Sequence, residues 1–472
     1  MNKYKTLISN TALISLGTFG SKLLVFLMVR FYTGYLTTAQ YGTSDLITQT
    51  ANLLLPLVSL GITNGVFRFA MDSKCDKRSV FSSGFFSITL GTLLFLVIAP
   101  ILTLVDQFSG YIWLIIVYTM ASCYHSLCSQ YIRAVGKTAF FAIQGIVNTS
   151  LVIVLNILFL AVFDMGITGY VLSVVLADGI SALLVFFKGK LWREITLKID
   201  KDILKKMLIY SIPMIPTTIF WWVTSVSDRY MVSGFIGTEA NGIYAVSYKV
   251  PTFLTLLSTV FMQAWQFSAV SESENDKEEH IEFFSKVWSS FQSVMFLAGW
   301  AIIAFSIPVI KILTTPDYYS AWKYIPLLAA AMIFNSFANF MGSVYVVEKR
   351  SKNSFLTAML GAVLNIILNF LLIPTALGVQ GAAIATFVSY FAIFVIRAIN
   401  VQKYIPFKLY MPQVLLNTAV ILLQSAFMIF SLPFNIPVQV VCAVLLMIIN
   451  YKFIMVFADK FISVFKVKRR VK

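Results

Sequence analysis

Residues 80–105 read VFSSGFFSITLGTLLFLVIAPILTLV, a run without a single charged side chain. A helix needs roughly 20 mostly apolar residues to cross the hydrocarbon core of a bilayer. An α-helix is the expected conformation, because lipid offers no partners for exposed backbone N–H and C=O groups. This stretch therefore predicts a transmembrane helix.

Stretches of the same kind recur along the whole chain of 472 residues. Hydrophobic residues make up 59% of the sequence, charged residues 12%, and the mean hydropathy is +0.84, whereas soluble proteins carry about 25% charged residues. We therefore predict an all-α polytopic membrane protein with about fourteen transmembrane helices. The predicted spans are residues 9–32, 43–67, 80–105, 110–132, 139–163, 167–187, 207–234, 242–267, 284–310, 321–347, 354–374, 379–399, 411–431 and 436–457.

The distribution of positive charge predicts how these helices are oriented. When the N-terminus is placed inside, about 29 of the 36 Lys and Arg residues fall in inner connections and tails, as the positive-inside rule requires. The outer loops keep only Lys311 and Lys323. We predict a multi-pass protein of the cell (cytoplasmic) membrane with both termini cytoplasmic. The net charge of +16 then reflects topology and contact with anionic lipid, and no nucleic-acid partner is predicted.

Two sequence echoes predict an internal repeat. Residues 34–42 read GYLTTAQYG and residues 234–242 read GFIGTEANG, with Gly, an aromatic residue, Thr and Gly at the same spacing. A second echo joins residues 166–169 (GITG) to residues 378–381 (GVQG). Repeats with an even number of helices enter the membrane from the same side and can rock about a site held between them. The predicted organisation is an N-terminal six-helix lobe (1–187), a basic cytoplasmic linker (188–206), a C-terminal six-helix lobe (207–403), and two final helices with a basic tail (404–472).

Several local motifs carry a resemblance to a known family. Residues 211–216 read SIPMIP at the start of the predicted seventh helix, and residues 227–231 read SDRYM near its end. Residues 242–245 (GIYA), residues 248–250 (YKV) and residues 40–42 (QYG) fit the same pattern. With its layout of six helices, a basic inner loop, six more helices and a final pair, the chain resembles polysaccharide transporters of the multidrug/oligosaccharidyl-lipid/polysaccharide exporter superfamily over nearly its whole length.

The resemblance implies a flippase that translocates a polyprenyl-pyrophosphate-linked oligosaccharide repeat unit by alternating access. Such a protein serves the assembly of a surface polysaccharide (capsule, O-antigen-like or exopolysaccharide), with the lipid-linked oligosaccharide, membrane lipids and the polysaccharide polymerase machinery as partners. Two alternatives within the superfamily stay open: a lipid II-type peptidoglycan precursor flippase and a multidrug/cation antiporter. A membrane enzyme such as a polymerase is disfavoured, because the longest outer loop, roughly residues 311–320, is short and contains no His.

Ionisable residues inside the predicted spans are the candidate functional residues, because a charge within a bilayer is costly. Arg can contact phosphate oxygens bidentately and Lys acts as a point charge. The cations predicted to bind the substrate phosphates are Lys22, Arg30, Arg229 and Lys249, on helices that line the cleft between lobes in the resembled family. The carboxylates predicted to couple transport to an ion are Asp178, Asp228 and Asp45. The alternative is that these cations snorkel to the interface or pair with the three carboxylates.

Two other features complete the sequence-based predictions. Prolines at positions 56, 213, 216 and 251 predict kinks in the second, seventh and eighth spans, since proline removes a backbone hydrogen bond. Cys123, His125 and Cys128 lie close together in the fourth span. Their spacing matches no standard zinc pattern, so neither a metal site nor a cofactor is predicted.

Overall fold

The computed structural model describes residues 20, 23–104, 108, 110–196, 199–271, 277–348, 350–451 and 453–455. All regular secondary structure within this described part is helical. The chain divides into two compact units. The first contains the described residues of Met1–Ala245 and Leu313–Tyr318, and the second those of Val246–Ile312 and Tyr319–Lys472. The division into repeat-related lobes at residues 188–206 stays a prediction.

The first unit contains the following main α-helices within the described residues, and the last of them continues into the second unit. In chain order they are α1 (Val29–Tyr35), α2 (Thr38–Val58), α3 (Ile62–Met71), α4 (Lys77–Ile98), α5 (Ile112–Ala134), α6 (Thr138–Asn156), α7 (Gly166–Lys188), α8 (Lys201–Ser211), α9 (Ile215–Phe235) and α10 (Thr238–Lys249).

The first unit contains two clusters of buried apolar side chains. One brings α3, α4, α5 and α8 together around Val66, Phe81, Leu127 and Met207, all of which are fully buried. The other centres on Leu46 of α2 and includes residues of α5 and α7. The second cluster packs together α2 and α7, the helices that carry the candidate residues Asp45 and Asp178.

Proline and left-handed residues interrupt α2 and its continuation. Pro56 lies in the last turn of α2, and Leu60 and Gly61 both have positive φ before α3 begins. The two helices together are apolar enough to form one span, and they meet at a bend of 57°. Pro251 likewise lies at the break between α10 and the next helix, Thr252–Ser271. Bends in the predicted second and eighth spans are therefore confirmed, at 57° and 41°. In the second span the bend lies beyond Pro56, at Leu60 and Gly61, whereas in the eighth it lies at Pro251, which lacks the N–H group that would continue the helix.

The second unit contains the remaining helices of the described part. They are α11 (Thr252–Ser271), α12 (Lys277–Ala304), α13 (Ser306–Leu313), α14 (Ile325–Val347), α15 (Ser351–Leu372), α16 (Val379–Val401), α17 (Met411–Ile429) and α18 (Asn435–Ile449).

Aromatic packing dominates the interior of the second unit. Trp288 of α12 is fully buried, and its ring lies 5.0 Å from Phe337 and 5.2 Å from Phe340 of α14, measured between centroids. Such rings bury large apolar areas and prefer tilted or edge-to-face contacts. The final two helices join this unit through α12, because the indole of Trp300 donates to the backbone carbonyl of Gln439, 3.0 Å away.

Ten helices of the described part are long and apolar enough to cross a membrane, and the count reaches twelve when each bent pair is one span. Two shorter apolar helices, Leu23–Tyr35 and Asn435–Ile449, lie where the first and last spans were predicted. Both of those predicted spans extend into residues outside the described part. The all-α polytopic class is confirmed, and the total of fourteen spans stays a prediction.

Candidate functional site

The candidate site starts at the N-terminus of α2, where a capping box determines the beginning of the helix. The Thr37 side chain accepts a hydrogen bond from the backbone N–H of Gln40, and the Gln40 side chain accepts one from the backbone N–H of Thr37. Such reciprocal bonds satisfy N–H groups that a helix start leaves unpaired. The cap determines where α2 begins, and Asp45 lies about two turns further along the helix.

Asp45 forms a buried ion pair with Arg229 of α9. One terminal nitrogen of the guanidinium, Nη1, lies 2.6 Å from Oδ1 and 2.8 Å from Oδ2 of Asp45. Arg229 is 8% and Asp45 7% exposed. Charges this far from water need a partner, since removing one member of a buried pair leaves the other uncompensated. The structure thus realises the alternative in which Arg229 pairs with a carboxylate.

Asp228, the neighbour of Arg229, is fully buried and held by two hydrogen bonds. The backbone N–H of Arg229 donates to Oδ1 at 2.9 Å, and the hydroxyl of Tyr244 on α10 donates to Oδ2 at 2.8 Å. Hydrogen bonds to an ionised acceptor are stronger than those between neutral groups. Asp228 therefore connects α9 to α10, while Arg229 connects α9 to α2.

Aromatic side chains of α9 strengthen its contact with α2. The Tyr230 hydroxyl lies 2.7 Å from the Thr50 hydroxyl and donates to the Leu46 carbonyl oxygen at 3.2 Å. The Trp222 indole donates to the carbonyl oxygen of Gln49, also at 3.2 Å. The Tyr230 hydroxyl and the Trp222 indole thus form hydrogen bonds with oxygen atoms of α2 inside the membrane span, where water is not available as a partner. Together with the ion pair they form a continuous polar seam between α2 and α9.

Two glycines bring α2 and α10 into backbone contact. A Cβ atom at Gly42 would lie 2.1 Å from the carbonyl oxygen of Thr238, and one at Gly242 would lie 1.9 Å from that of Thr38. Only glycine allows so close an approach. The side-chain amide of Asn241 adds a hydrogen bond of 3.0 Å to the Gly42 carbonyl oxygen. Gly42, the last residue of segment 34–42, therefore packs against Thr238 of segment 234–242, and Gly242 packs against Thr38 in the same way.

The other cations predicted to bind substrate have different surroundings. Arg30 of α1 is exposed, and its guanidinium donates to the carbonyl oxygen of Thr314 in the same unit. Lys249 is half-buried in the last turn of α10 and belongs to the second unit. Lys22 lies outside the described residues. Their predicted role in substrate binding stays a prediction.

Asp178 of α7 lies in a second polar cluster of the first unit. Its Oδ1 is 3.1 Å from Nδ1 of His125 on α5 and accepts a hydrogen bond of 2.9 Å from the side-chain amide of Asn148 on α6. Its Oδ2 accepts from the hydroxyl of Ser122. Two helices, α5 and α6, therefore supply polar groups to the carboxylate of a third helix, α7.

His125 is placed to hold a proton between two acceptors. Its Nε2 lies 2.9 Å from Oε1 of Gln144, whose amide nitrogen in turn donates to the Ser129 hydroxyl at 2.9 Å. With Asp178 on one ring nitrogen and an amide oxygen on the other, this assignment of the amide suits an imidazolium, which donates from both nitrogens. A neutral imidazole that keeps its proton on Nδ1 would instead present an acceptor at Nε2, which suits the opposite orientation of the Gln144 amide.

In the sequence, His125 stands out only as a possible metal ligand beside Cys123 and Cys128. Among the residues that the structure describes, there is no group of three or more His, Cys, Asp or Glu side chains that could hold a metal ion. The signal that could have found the pair is the coincidence of polar residues in three apolar spans. That signal does not say which of these residues meet.

Comparison with known proteins identifies related sequences and folds. A family model described as "Polysaccharide biosynthesis protein" matches residues 7–266. The chain is 29% identical over 220 residues to the probable lipid II flippase MurJ of Thermotoga maritima, covering 43% of this chain and 44% of that protein. It is 25% identical over 283 residues to the uncharacterized membrane protein MJ1375 of Methanocaldococcus jannaschii, covering 57% of this chain and 65% of that protein. The chain thus aligns with less than two thirds of either relative.

Solved structures extend the likeness to almost the whole chain. The lipid II flippase MurJ in an inward closed conformation matches with a TM-score of 0.69 and 15% identity, covering 96% of this chain and 100% of that one. A multidrug resistance MATE family transporter of the MOP superfamily in an inward-facing conformation matches with a TM-score of 0.66 and 12% identity. This match covers 81% of this chain and 95% of that transporter. At these identities the likeness shows a shared fold.

Proposed function

The chain belongs to the polysaccharide biosynthesis protein family, and we propose that it is a flippase for a polyprenyl-pyrophosphate-linked oligosaccharide repeat unit. The match over residues 7–266 carries this proposal, and the transporter fold supports it. In this proposal the protein lies in the cytoplasmic membrane with both termini inside. It supplies the repeat unit to a surface-polysaccharide polymerase and leaves the substrate chemically unchanged.

The seam between α2, α9 and α10 supports a role as the outer gate of an alternating-access cycle. By the positive-inside rule, the segments that contain Gly42 and Gly242 lie at the outer membrane surface. The reciprocal glycine contact and the Asp45–Arg229 pair hold these helix ends together. A transporter must keep one side closed while the other is open, and this seam is the closed side.

The same ion pair offers a means by which the substrate opens the gate. A pyrophosphate bears more charge than a carboxylate and presents several oxygens to a guanidinium. When it approaches Arg229, it competes with Asp45 for the same nitrogen. Arg30, which belongs to the same unit, would share the phosphate charge in this proposal, and the roles of Lys249 and Lys22 stay predictions. Substrate binding then weakens the pair that closes the outer side.

The Asp178 cluster is the proposed site of ion coupling. A carboxylate that contacts an imidazole can exchange a proton with it, and histidine is the side chain whose ordinary titration lies nearest to neutral pH. Protonation of this pair changes the charge between α5 and α7, where His125 and Asp178 meet. Asp45 and Asp228 are the other candidate coupling carboxylates, and both already serve as hydrogen-bond acceptors in the seam.

The test is a transport assay with purified protein in vesicles. A labelled lipid-linked oligosaccharide is placed in one leaflet, and its exposure to a membrane-impermeant glycosidase or oxidant is followed with time. Arg229→Gln, Arg30→Gln and Lys249→Gln are each expected to slow transport relative to Lys403→Gln, an exposed lysine outside the candidate site. Transport at the wild-type rate in all three variants would contradict the proposed substrate site.

A lipid II-type precursor is the second candidate substrate, because the Thermotoga maritima relative bears that name. Both substrates present a polyprenyl pyrophosphate, and they differ in the group attached to it. Competition between labelled oligosaccharide lipid and unlabelled lipid II in the same vesicles ranks them. Efficient export of an organic cation without movement of either lipid would instead favour the multidrug antiporter reading.

A further inference from the structure

A cavity of about 480 Å³ opens in the first unit at the ends of α4, α5 and α7 that carry positive charge. Its lining includes Lys77 and Arg78 from the start of α4, and Lys137 from the connection after α5. By the positive-inside rule this end faces the cytoplasm. The cavity contains none of the residues assigned above to the gate or to ion coupling.

The walls of the cavity are held by hydrogen bonds between separate segments. The Ser82 hydroxyl donates to the carbonyl oxygen of Glu194 at 2.9 Å and accepts from the backbone N–H of Thr196 at 2.8 Å. The Tyr131 hydroxyl donates to the carbonyl oxygen of Lys77 at 3.4 Å. These bonds fasten the segment after α7 and the end of α5 to the first turns of α4. The cationic side chains therefore project from a preformed frame.

The charge of the lining favours an anion. Three cations face two carboxylates, and one of these, Asp76, caps α4: its Oδ2 accepts from the backbone N–H of Ser79 at 2.9 Å and from its hydroxyl at 2.7 Å. The other, Glu194, lies 3.8 Å from Arg78. An exposed pair at that distance is weak. The lining thus carries one more positive than negative charge, and the Lys137 ammonium also donates to the Gly189 carbonyl oxygen, 3.3 Å away.

We propose that this cavity binds a phosphate group, held by Lys77, Arg78 and Lys137 at the cytoplasmic surface. The compact ammonium groups suit a phosphate as point charges, and Arg78 adds planar donors. Two sources present the same group: the headgroup of an anionic phospholipid and a soluble phosphate. Basic pockets between membrane helices on this side are suited to lipid headgroups.

Cys75 provides a reporter within the chain. It lines the cavity and is half-buried, whereas Cys123, Cys128 and Cys442 are buried within spans. The rate at which a neutral maleimide labels Cys75, followed by peptide mass analysis, is measured in phosphatidylcholine vesicles alone, with phosphatidylglycerol, and with inorganic phosphate. Cys75 is expected to react only when the cavity is empty. A ligand present at about ten times its dissociation constant should therefore slow the labelling of Cys75 about tenfold.

The variants separate specific binding from the general effect of a charged surface. Lys77→Gln with Lys137→Gln should abolish the protection, while Lys77→Arg with Lys137→Arg should keep it. Lys403→Gln with Lys408→Gln removes the same charge outside the cavity and should keep it too. Protection by phosphatidylglycerol alone assigns the site to lipid, and protection by inorganic phosphate as well assigns it to the free group. Equal labelling rates in all three conditions, or equal protection of the Gln variant, would overturn the proposal.

Discussion

Breaking the Asp45–Arg229 pair tests the gate most directly. Both side chains are almost fully buried and lie 2.6 Å apart at their closest atoms. Removing one partner of such a pair costs about 3–5 kcal/mol, since the remaining charge loses its compensation. At about 1.4 kcal/mol per factor of ten, that weakens a conformation that needs the pair by roughly 100- to 4,000-fold.

The variants are Asp45→Asn, Arg229→Met and the two together. Each single change is expected to lower the free energy of unfolding in mixed detergent, and the double change should cost less than the sum of the two, because neither charge is then left alone. The matched control is Glu282→Gln, which breaks an exposed pair of 2.7 Å with Lys286. It should leave stability unchanged, as expected for a solvated pair.

The gate itself is monitored with spin labels at Tyr35 and Ile236, which are 48% and 46% exposed near the ends of α1 and α9. Loss of the ion pair should lengthen and broaden the distance distribution between the labels, and the Glu282→Gln control should not. If both single variants lose less than about 1 kcal/mol and keep the wild-type distances, the pair neither stabilises the seam nor closes it.

Three further predictions concern separate parts of the first unit. Gly42→Ala should slow transport, because its methyl group would lie 2.1 Å from a backbone oxygen and such overpacking costs about 1–3 kcal/mol. The control Gly145→Ala should transport normally, because a Cβ atom added there would meet no atom of another described segment within 4 Å. Asp178→Asn should abolish acceleration by an imposed proton gradient, and His125→Gln should flatten the dependence of transport on pH over about pH 5 to 8; an unchanged profile in both would exclude this cluster from coupling. Hydrogen bonds from Ser79 lower the pKa of Asp76 below its usual 3.8, so its stabilising contribution is complete above that value and is lost as the pH falls through the lowered pKa. The free energies of unfolding of the wild type and of Asp76→Ala should differ by about 1 kcal/mol near neutral pH and become equal in acid. A difference that stays constant with pH would contradict the role of Asp76 as a helix cap.

The membrane helices can be predicted from the sequence alone, because each is indicated by the hydrophobicity of a local stretch of residues. A run such as residues 80–105 specifies a span through composition alone, and Pro251 predicts a bend through its missing N–H group. The ionisable residues in spans were equally visible, and the candidate list of seven contains both members of the buried pair. Charge asymmetry between loops is also a local signal, and it predicts the orientation of every span at once.

Only the tertiary structure decided which of these residues meet. Asp45 and Arg229 lie in different helices, and their contact depends on how α2 and α9 rotate and pack, which no local pattern encodes. The echo between residues 34–42 and 234–242 predicts that Gly42 and Gly242 are equivalent positions. Only the tertiary structure shows that each of them contacts the backbone beside the other. His125 was likewise seen beside two cysteines in sequence and found beside Asp178 in space. Sequence determines where a helix lies in a bilayer through burial, which is non-directional, whereas a polar contact requires two directed groups within about 3 Å.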